Sequence, residues 1–382
     1  MGNTSWSGSF SADSVVDLRK SRVVKLDGGQ RRVDANNCRT GVIIPGGVGV
    51  DHSLQDLFFT HYRYIRKVVS RFAKPGVAII AIDEHRNSVA GSVCVAAKIG
   101  VINTAVVGRH NRADLYLHND ASVSLRHLLV VLDPIRDCSA STDVRYRVLD
   151  LRTEIAFADE HGSNVEAVTA EGPAFLRCGS YALLCFTTNE DAHWPRDPAD
   201  GWACIPERVY LQKRDAEPDR WQRDVQSAAF EHTGERDVSR ASSARITLVG
   251  TNPGPVAAGA ELLSPGEAAL GRLHIRSRRR KERLVVGTSA ADRGILLGRY
   301  SRCESNARSV LRRDSISRVH MLLIRVAQEL YAVDTASSNG TWLELGDSDN
   351  DERWKRIRVM PVADGLTFCL GNERTLVRWT AA

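Results

Sequence analysis

No stretch of this sequence is apolar for long. The longest such run, Val77 to Ile82, has six residues, against the roughly 20 that a bilayer-spanning helix needs. The N-terminus lacks a basic-then-apolar signal pattern, which makes the cytosol the default location. Gly2 is followed by Trp6 where a myristoylation signal wants Ser or Thr, so no lipid is expected there. The eight cysteines (Cys38, Cys94, Cys138, Cys178, Cys185, Cys204, Cys303, Cys369) form no C-x-x-C pair and have no histidine at zinc spacing. They read as buried apolar fillers, with no metal, cofactor or disulfide framework implied. Catalytic signatures are missing too: there is no G-x-S-x-G elbow, H-E-x-x-H, kinase set or Rossmann fingerprint, and Gly46-Gly47-Val48-Gly49 has no following Lys-Ser/Thr. A non-enzyme is therefore expected.

What is present is ordinary globular material. The chain has 382 residues, 43% of them hydrophobic and 26% charged. That is enough for two or three domains, because single cores rarely keep growing past a few hundred residues. A net charge of +6 favours anionic partners without choosing among phosphoprotein, nucleic acid and membrane surface.

Residues 1–50 are rich in Ser, Gly, Asn and Arg with little periodicity, and a loosely ordered segment is expected. Within 51–75, Leu54, Leu57, Phe58, Tyr62, Ile65, Val69 and Phe72 recur at helical spacing behind a Ser53 cap, and Pro75-Gly76 ends the run. This predicts one amphipathic helix. Its basic residues, Arg63, Arg66, Lys67 and Arg71, could meet an acidic membrane, but packing of the apolar side on a neighbouring domain is the commoner outcome. Short apolar runs with polar turns over 76–190 predict a β-sandwich or barrel. Residues 191–267, rich in Pro, Gly and charge, read as a linker with a short ordered piece at Arg245 to Val249. Residues 268–382 read as nearly all strand, with Asp364-Gly365 as a tight turn.

The two β regions share a pattern. Val107-Gly108-Arg109 matches Leu297-Gly298-Arg299, and Ser124-Leu125-Arg126-His127 matches Ser317-Arg318-Val319-His320. Each is followed by strands leading to an aspartate, Asp150 and Asp334, so the same module is expected twice. After Asp334 comes Ser337-Ser338-Asn339-Gly340-Thr341, and a Leu370-Gly371 close follows Asp364-Gly365. In this order, the second copy resembles the forkhead-associated (FHA) domain family. The first resembles a degenerate copy. The fold class implied is mostly β: two FHA-like β-sandwiches with an N-terminal amphipathic helix.

The resemblance implies a phosphothreonine-peptide-binding adaptor acting through the C-terminal copy. Its partner would be a phosphothreonine-containing protein, a Ser/Thr kinase or its substrate. Arg299 would be the planar cationic fork for the phosphate, which lysine cannot imitate. Ser317 would donate its hydroxyl, Arg318 would touch phosphate or peptide main chain, and Asn339 would hold the peptide backbone. Gly298, His320, Gly340 and Thr341 would support the site. A possible second site at Arg109, Ser124 and His127 lacks the Asn-Gly pair, and an acidic loop through Asp159, Glu160, Glu166 and Glu171 would repel phosphate.

Two other readings stay open. Both sandwiches could be phosphate-independent scaffolds of a larger complex. Nucleic-acid binding through Arg278-Arg279-Arg280-Lys281 is the least favoured, since that cluster reads as a solvated hairpin turn without interleaved aromatics.

Overall fold

The computed structural model describes residues 52–137, 144–188, 194–213, 244–250, 261–278, 280–304, 310–345, 353–371 and 375–382. The expected loose segment 1–50, Cys38, Cys138 and Arg279 lie outside them. No helix among the described residues is long and apolar enough to cross a membrane.

The N-terminal helix runs Leu54–Arg71, with Ser53 in extended conformation accepting the Asp56 N–H at 3.0 Å. It presents Leu57, Phe58, Tyr62, Ile65 and Val69 to Ala78, Ile80, Ile82, Phe175, Leu184 and Phe186 of the sheet beneath. Burying five such side chains contributes on the order of 10 kcal/mol before the entropy of ordering is subtracted. Arg63, Lys67 and Arg71 face solvent, while Arg66 Nε donates to the Trp194 carbonyl at 3.1 Å.

Beneath the helix, the strands from Gly76–Asp83 to Tyr181–Thr188 form one continuous sheet that bends round its own core. Two-sided burial accounts for the continuous apolar run Val77 to Ile82. In Gly76–Asp83, Val77, Ile79 and Ala81 point inward while Ala78, Ile80 and Ile82 meet the helix. Both faces are covered, so every residue of the strand is buried.

The stretch read as a linker, 191–267, carries more structure than its composition suggested. The short helix Pro198–Ala203, capped by Asp197, packs against the N-terminal helix, with Trp194 and Trp202 beside Phe58. The strand Ala244–Gly250 pairs antiparallel with Asn164–Glu171, and Arg208–Lys213 adds to it in parallel. Cys178, Cys185, Cys303 and Cys369 are buried as expected, but Cys204 is exposed because it closes the short helix at the surface.

Residues 261–382 form a second unit of two packed sheets. One carries seven strands, among them Ala269–Arg276, Lys281–Gly287, Thr341–Glu344, Thr367–Leu370 and Leu376–Ala381. The other carries four: Ile295–Leu297, Met321–Val326, Glu329–Asp334 and Val359–Pro361. The basic hairpin pairs Arg276 with Lys281, and Arg278 and Arg280 are exposed in its turn. Gly365, at φ 78°, makes the expected tight turn.

The two units meet through the outer faces of equivalent strands. Val106, Leu129, Val131 and Leu149 pack against Leu296, Leu322, Ile324 and Val333 in one apolar cluster. Polar contacts across it come in matched pairs. Arg112 donates to the Ser337 carbonyl and Arg302 to the Thr153 carbonyl. Arg112 and Arg302 are 190 residues apart in the sequence, as are Arg109 and Arg299. Thr153 and Ser337 are 184 apart, as are Asp150 and Asp334. Asp114 accepts the Val106 N–H and meets Arg358, while Glu304 accepts the Leu296 N–H and meets Arg152. The interface is thus close to two-fold symmetric, of the kind that joins identical subunits.

Candidate functional site

At one end of the second unit, three loops are tied together around residues 315–317. Arg299 follows the strand Ile295–Leu297, and its N–H donates to the Ser317 carbonyl at 3.1 Å. Gly298 is needed for this approach. A Cβ there would sit 2.1 Å from the Arg318 carbonyl oxygen, a contact with backbone that cannot swing aside. On the opposite side, the Ser338 N–H donates to Ser317 Oγ at 3.0 Å and Asn339 Nδ2 to the Ser315 carbonyl at 2.8 Å. Arg299, Ser317 and Asn339 therefore share one apex.

His320 fastens this assembly from beneath. Its Nδ1 accepts the Ser317 N–H at 3.0 Å, which leaves Nε2 to carry the proton and donate to the Gly340 carbonyl at 3.0 Å. Burial holds the imidazole pKa below its ordinary value despite the opposing pull of Asp334, so the ring stays neutral. Asp334 closes the other loop: it accepts Ser337 N–H and Oγ and Thr341 Oγ1 at 2.8, 2.6 and 2.8 Å. Gly340 turns at φ 83°, which aims Asn339 outward.

Above this braced layer, Arg299, Arg318 and Asn339 are exposed, while Ser317 is nearly buried at 8%. Arg299 Nη1 meets Asp314 Oδ1 at 3.3 Å, with the Asp314 side chain fully in solvent. Such a pair contributes little, about 0–1 kcal/mol, so an incoming dianion can displace the carboxylate. The apex can therefore offer a guanidinium and a hydroxyl to one anion, with an amide alongside.

The first unit repeats the scaffold hydrogen bond for hydrogen bond. The Arg109 N–H donates to the Ser124 carbonyl and the Ser124 N–H to His127 Nδ1. The two units part beyond this frame. Arg109 Nε donates to the Val123 carbonyl, and His127 Nε2 faces Thr153 Oγ1 at 3.3 Å because no Asn-Gly turn is present. Burial pushes the His127 pKa down to about 4. The expected acidic loop is a correction to the sequence reading: it folds into the strands Phe157–Asp159 and Asn164–Glu171. Asp159 accepts the backbone N–H groups of His161 and Ser163, Glu160 pairs with Arg208, and Glu171 with Arg145.

With this geometry established, comparison with known proteins decides the family of the second unit. The family model for the FHA domain matches residues 295–371. This segment is an FHA domain. Solved FHA structures are similar to it. FHA-1 of Mycobacterium tuberculosis Rv1747 is 22% identical over 30% of this chain and 99% of that one, with a TM-score of 0.22. The FHA domain of the Chlamydia trachomatis CT664 protein is 18% identical over 29% of this chain and 98% of that one, with a TM-score of 0.20. Mycobacterium tuberculosis EmbR, solved with a low-affinity phosphopeptide, is 20% identical over 31% of this chain and 26% of that one, with a TM-score of 0.23. Among curated proteins, none matches the sequence.

Sequence reasoning missed the arginines that cross between the units, among them Arg112, Arg126, Arg147, Arg152, Arg302 and Arg358. A signal for two of them existed. Extending the repeat by three residues past Arg109 and Arg299 pairs Arg112 with Arg302.

Proposed function

We propose that the FHA domain captures a phosphothreonine peptide at its apex and that the chain is an adaptor in Ser/Thr kinase signalling. One observation carries this reading: Arg299, Ser317 and Asn339, drawn from three loops, meet at the same short segment over a neutral, buried histidine, with Arg299 and Asn339 exposed and the Ser317 hydroxyl just beneath them. The Arg299 fork takes two phosphate oxygens, the Ser317 hydroxyl donates to the third, and Arg318 adds charge at the rim. Asn339 holds the peptide main chain through its amide. Gly298, His320, Gly340 and Thr341 maintain the loops.

We read the first unit as a degenerate FHA-like copy that does not read phosphate. Arg109 is engaged with the Val123 carbonyl, and Thr153-Glu154 stands where the second unit has Ser337-Ser338 ahead of Asn339. Its apolar outer face serves as a packing platform.

The test is fluorescence anisotropy with a phosphothreonine peptide array and its unphosphorylated counterpart, using the whole chain. Binding is expected only to phosphorylated peptides and is lost in Arg299→Ala with the fold intact. Equal affinity of wild type and variant refutes the site. Pull-down partners that survive phosphatase treatment would favour the scaffold reading instead.

A further inference from the structure

The unit without an Asn-Gly turn holds the turn of its neighbour. Arg126, in the S-x-x-H segment of the first unit, points Nε and Nη2 at a single oxygen, the Ala336 carbonyl, at 3.0 and 2.6 Å. Arg112, in the first unit's own apex loop, points Nη1 at the Ser337 carbonyl at 3.2 Å and at the Ser338 carbonyl. These three consecutive carbonyls lead directly into Asn339, and the Ser338 N–H is the one bound to Ser317 Oγ.

The loop has reason to need outside support. Ala336 has φ 59°, in the left-handed region that a residue with a Cβ occupies only when its surroundings hold it there. Arg126 is well placed to do so. It is 7% exposed, and its charge is opposed across the interface by Asp334, the residue that organises the same loop. Burial lowers its pKa to about 10, so it is still a cation at neutral pH. The mirror contact, Arg302 on the Thr153 carbonyl, braces a loop with no peptide-reading asparagine. Only one direction of the symmetric interface therefore bears on recognition.

We propose that Arg112 and Arg126 are positioning residues for the FHA domain: the first unit holds the 336–338 loop in the shape that presents Asn339 and the Ser317 hydroxyl to a phosphopeptide. This rests on the phosphothreonine-binding function proposed for the same apex. A loop ordered during folding need not be ordered again by the ligand. Where the brace is absent, affinity falls with the fraction of chains in the competent shape.

The experiment uses the full chain and four variants, Arg112→Ala, Arg112→Lys, Arg126→Ala and Arg299→Ala. Amide hydrogen exchange is read without ligand, and anisotropy is read with the best phosphothreonine peptide from a degenerate array. Arg112→Ala and Arg126→Ala are expected to speed exchange at the Ser337 and Ser338 amides, the ones held by Asp334 and Ser317, and to weaken binding, each by about tenfold. Exchange in the core strands of both units stays at the wild-type rate. Arg112→Lys recovers most of both effects, since an exposed ammonium can serve the same two carbonyls. Should Arg126→Ala fail to fold, the exposed Arg112 carries the test alone. Wild-type loop exchange in the alanine variants, or faster exchange with unchanged affinity, overturns the proposal. If the wild-type chain binds no phosphothreonine peptide, the proposed function fails, and the exchange rates still decide whether the brace exists.

Discussion

Replacing Asp334 by alanine removes the acceptor for three donors at once: the Ser337 N–H, the Ser337 hydroxyl and the Thr341 hydroxyl. Ser337 and Thr341 are both 0% exposed, so neither can turn to water. Hydrogen bonds to a charged acceptor contribute about 1.5–3 kcal/mol each, and the orphaned donors add their own desolvation cost. Because the three share one carboxylate their losses do not add fully, and the expected destabilisation is about 4–5 kcal/mol. Asp334→Asn should cost only about 1–2 kcal/mol, because its oxygen still accepts the Ser337 N–H and both hydroxyls can rotate to accept from the new amide. The first unit supplies an internal control. Asp150 receives the Thr153 N–H and hydroxyl, but that hydroxyl also reaches the Ile155 carbonyl, so Asp150→Ala should cost about 2 kcal/mol. Guanidinium unfolding followed by tryptophan fluorescence measures all three. An Asp334→Ala chain within about 1 kcal/mol of wild type, or an asparagine variant worse than the alanine one, would refute the reasoning.

Gly298→Ala puts a methyl 2.1 Å from the Arg318 carbonyl oxygen, and the displaced loop should lose about 2–3 kcal/mol of stability together with phosphopeptide affinity, read by thermal melting and anisotropy. The pH dependence of stability should carry a His127 component. Its folded pKa of about 4 lies below the unfolded value of about 6.5, so between these limits the unfolded chain binds more protons. The support given by the neutral ring is complete above pH 6.5 and drains away as pH falls towards 4. Urea titrations of His127→Gln should therefore lose about 2 kcal/mol less than wild type between pH 7 and 5.

Much of this architecture is legible in the sequence because it is local. The spacing of Leu57, Phe58, Tyr62, Ile65 and Val69 carries the helix, and Asp364-Gly365 the turn, since each depends on a few adjacent residues. The loop residues of the FHA domain were readable for a different reason: their order along the chain is fixed by which strands they connect. What stayed hidden depends on partners far away. Nothing in Ala244–Gly250 announces that it will pair with Asn164–Glu171. The unbroken apolar run Val77 to Ile82 signals cover on both faces, but not that Phe175, Leu184 and Phe186 share the helix with it. Arg126 looks like any loop arginine, and only the folded chain reveals that its acceptor lies 210 residues away.

The contact between the units makes the C-terminal unit a poor candidate for excision. Cutting near residue 268 would bare Leu322, Ile324, Val326, Tyr331 and Val333, which the first unit now covers. Since that covering surface is built on the same plan, a freed piece presents a face complementary to its own twin, and two copies would be drawn into a surrogate homodimer. Its 336–338 loop would then meet a neighbour that lacks Arg126, and Val319 would stand in that position.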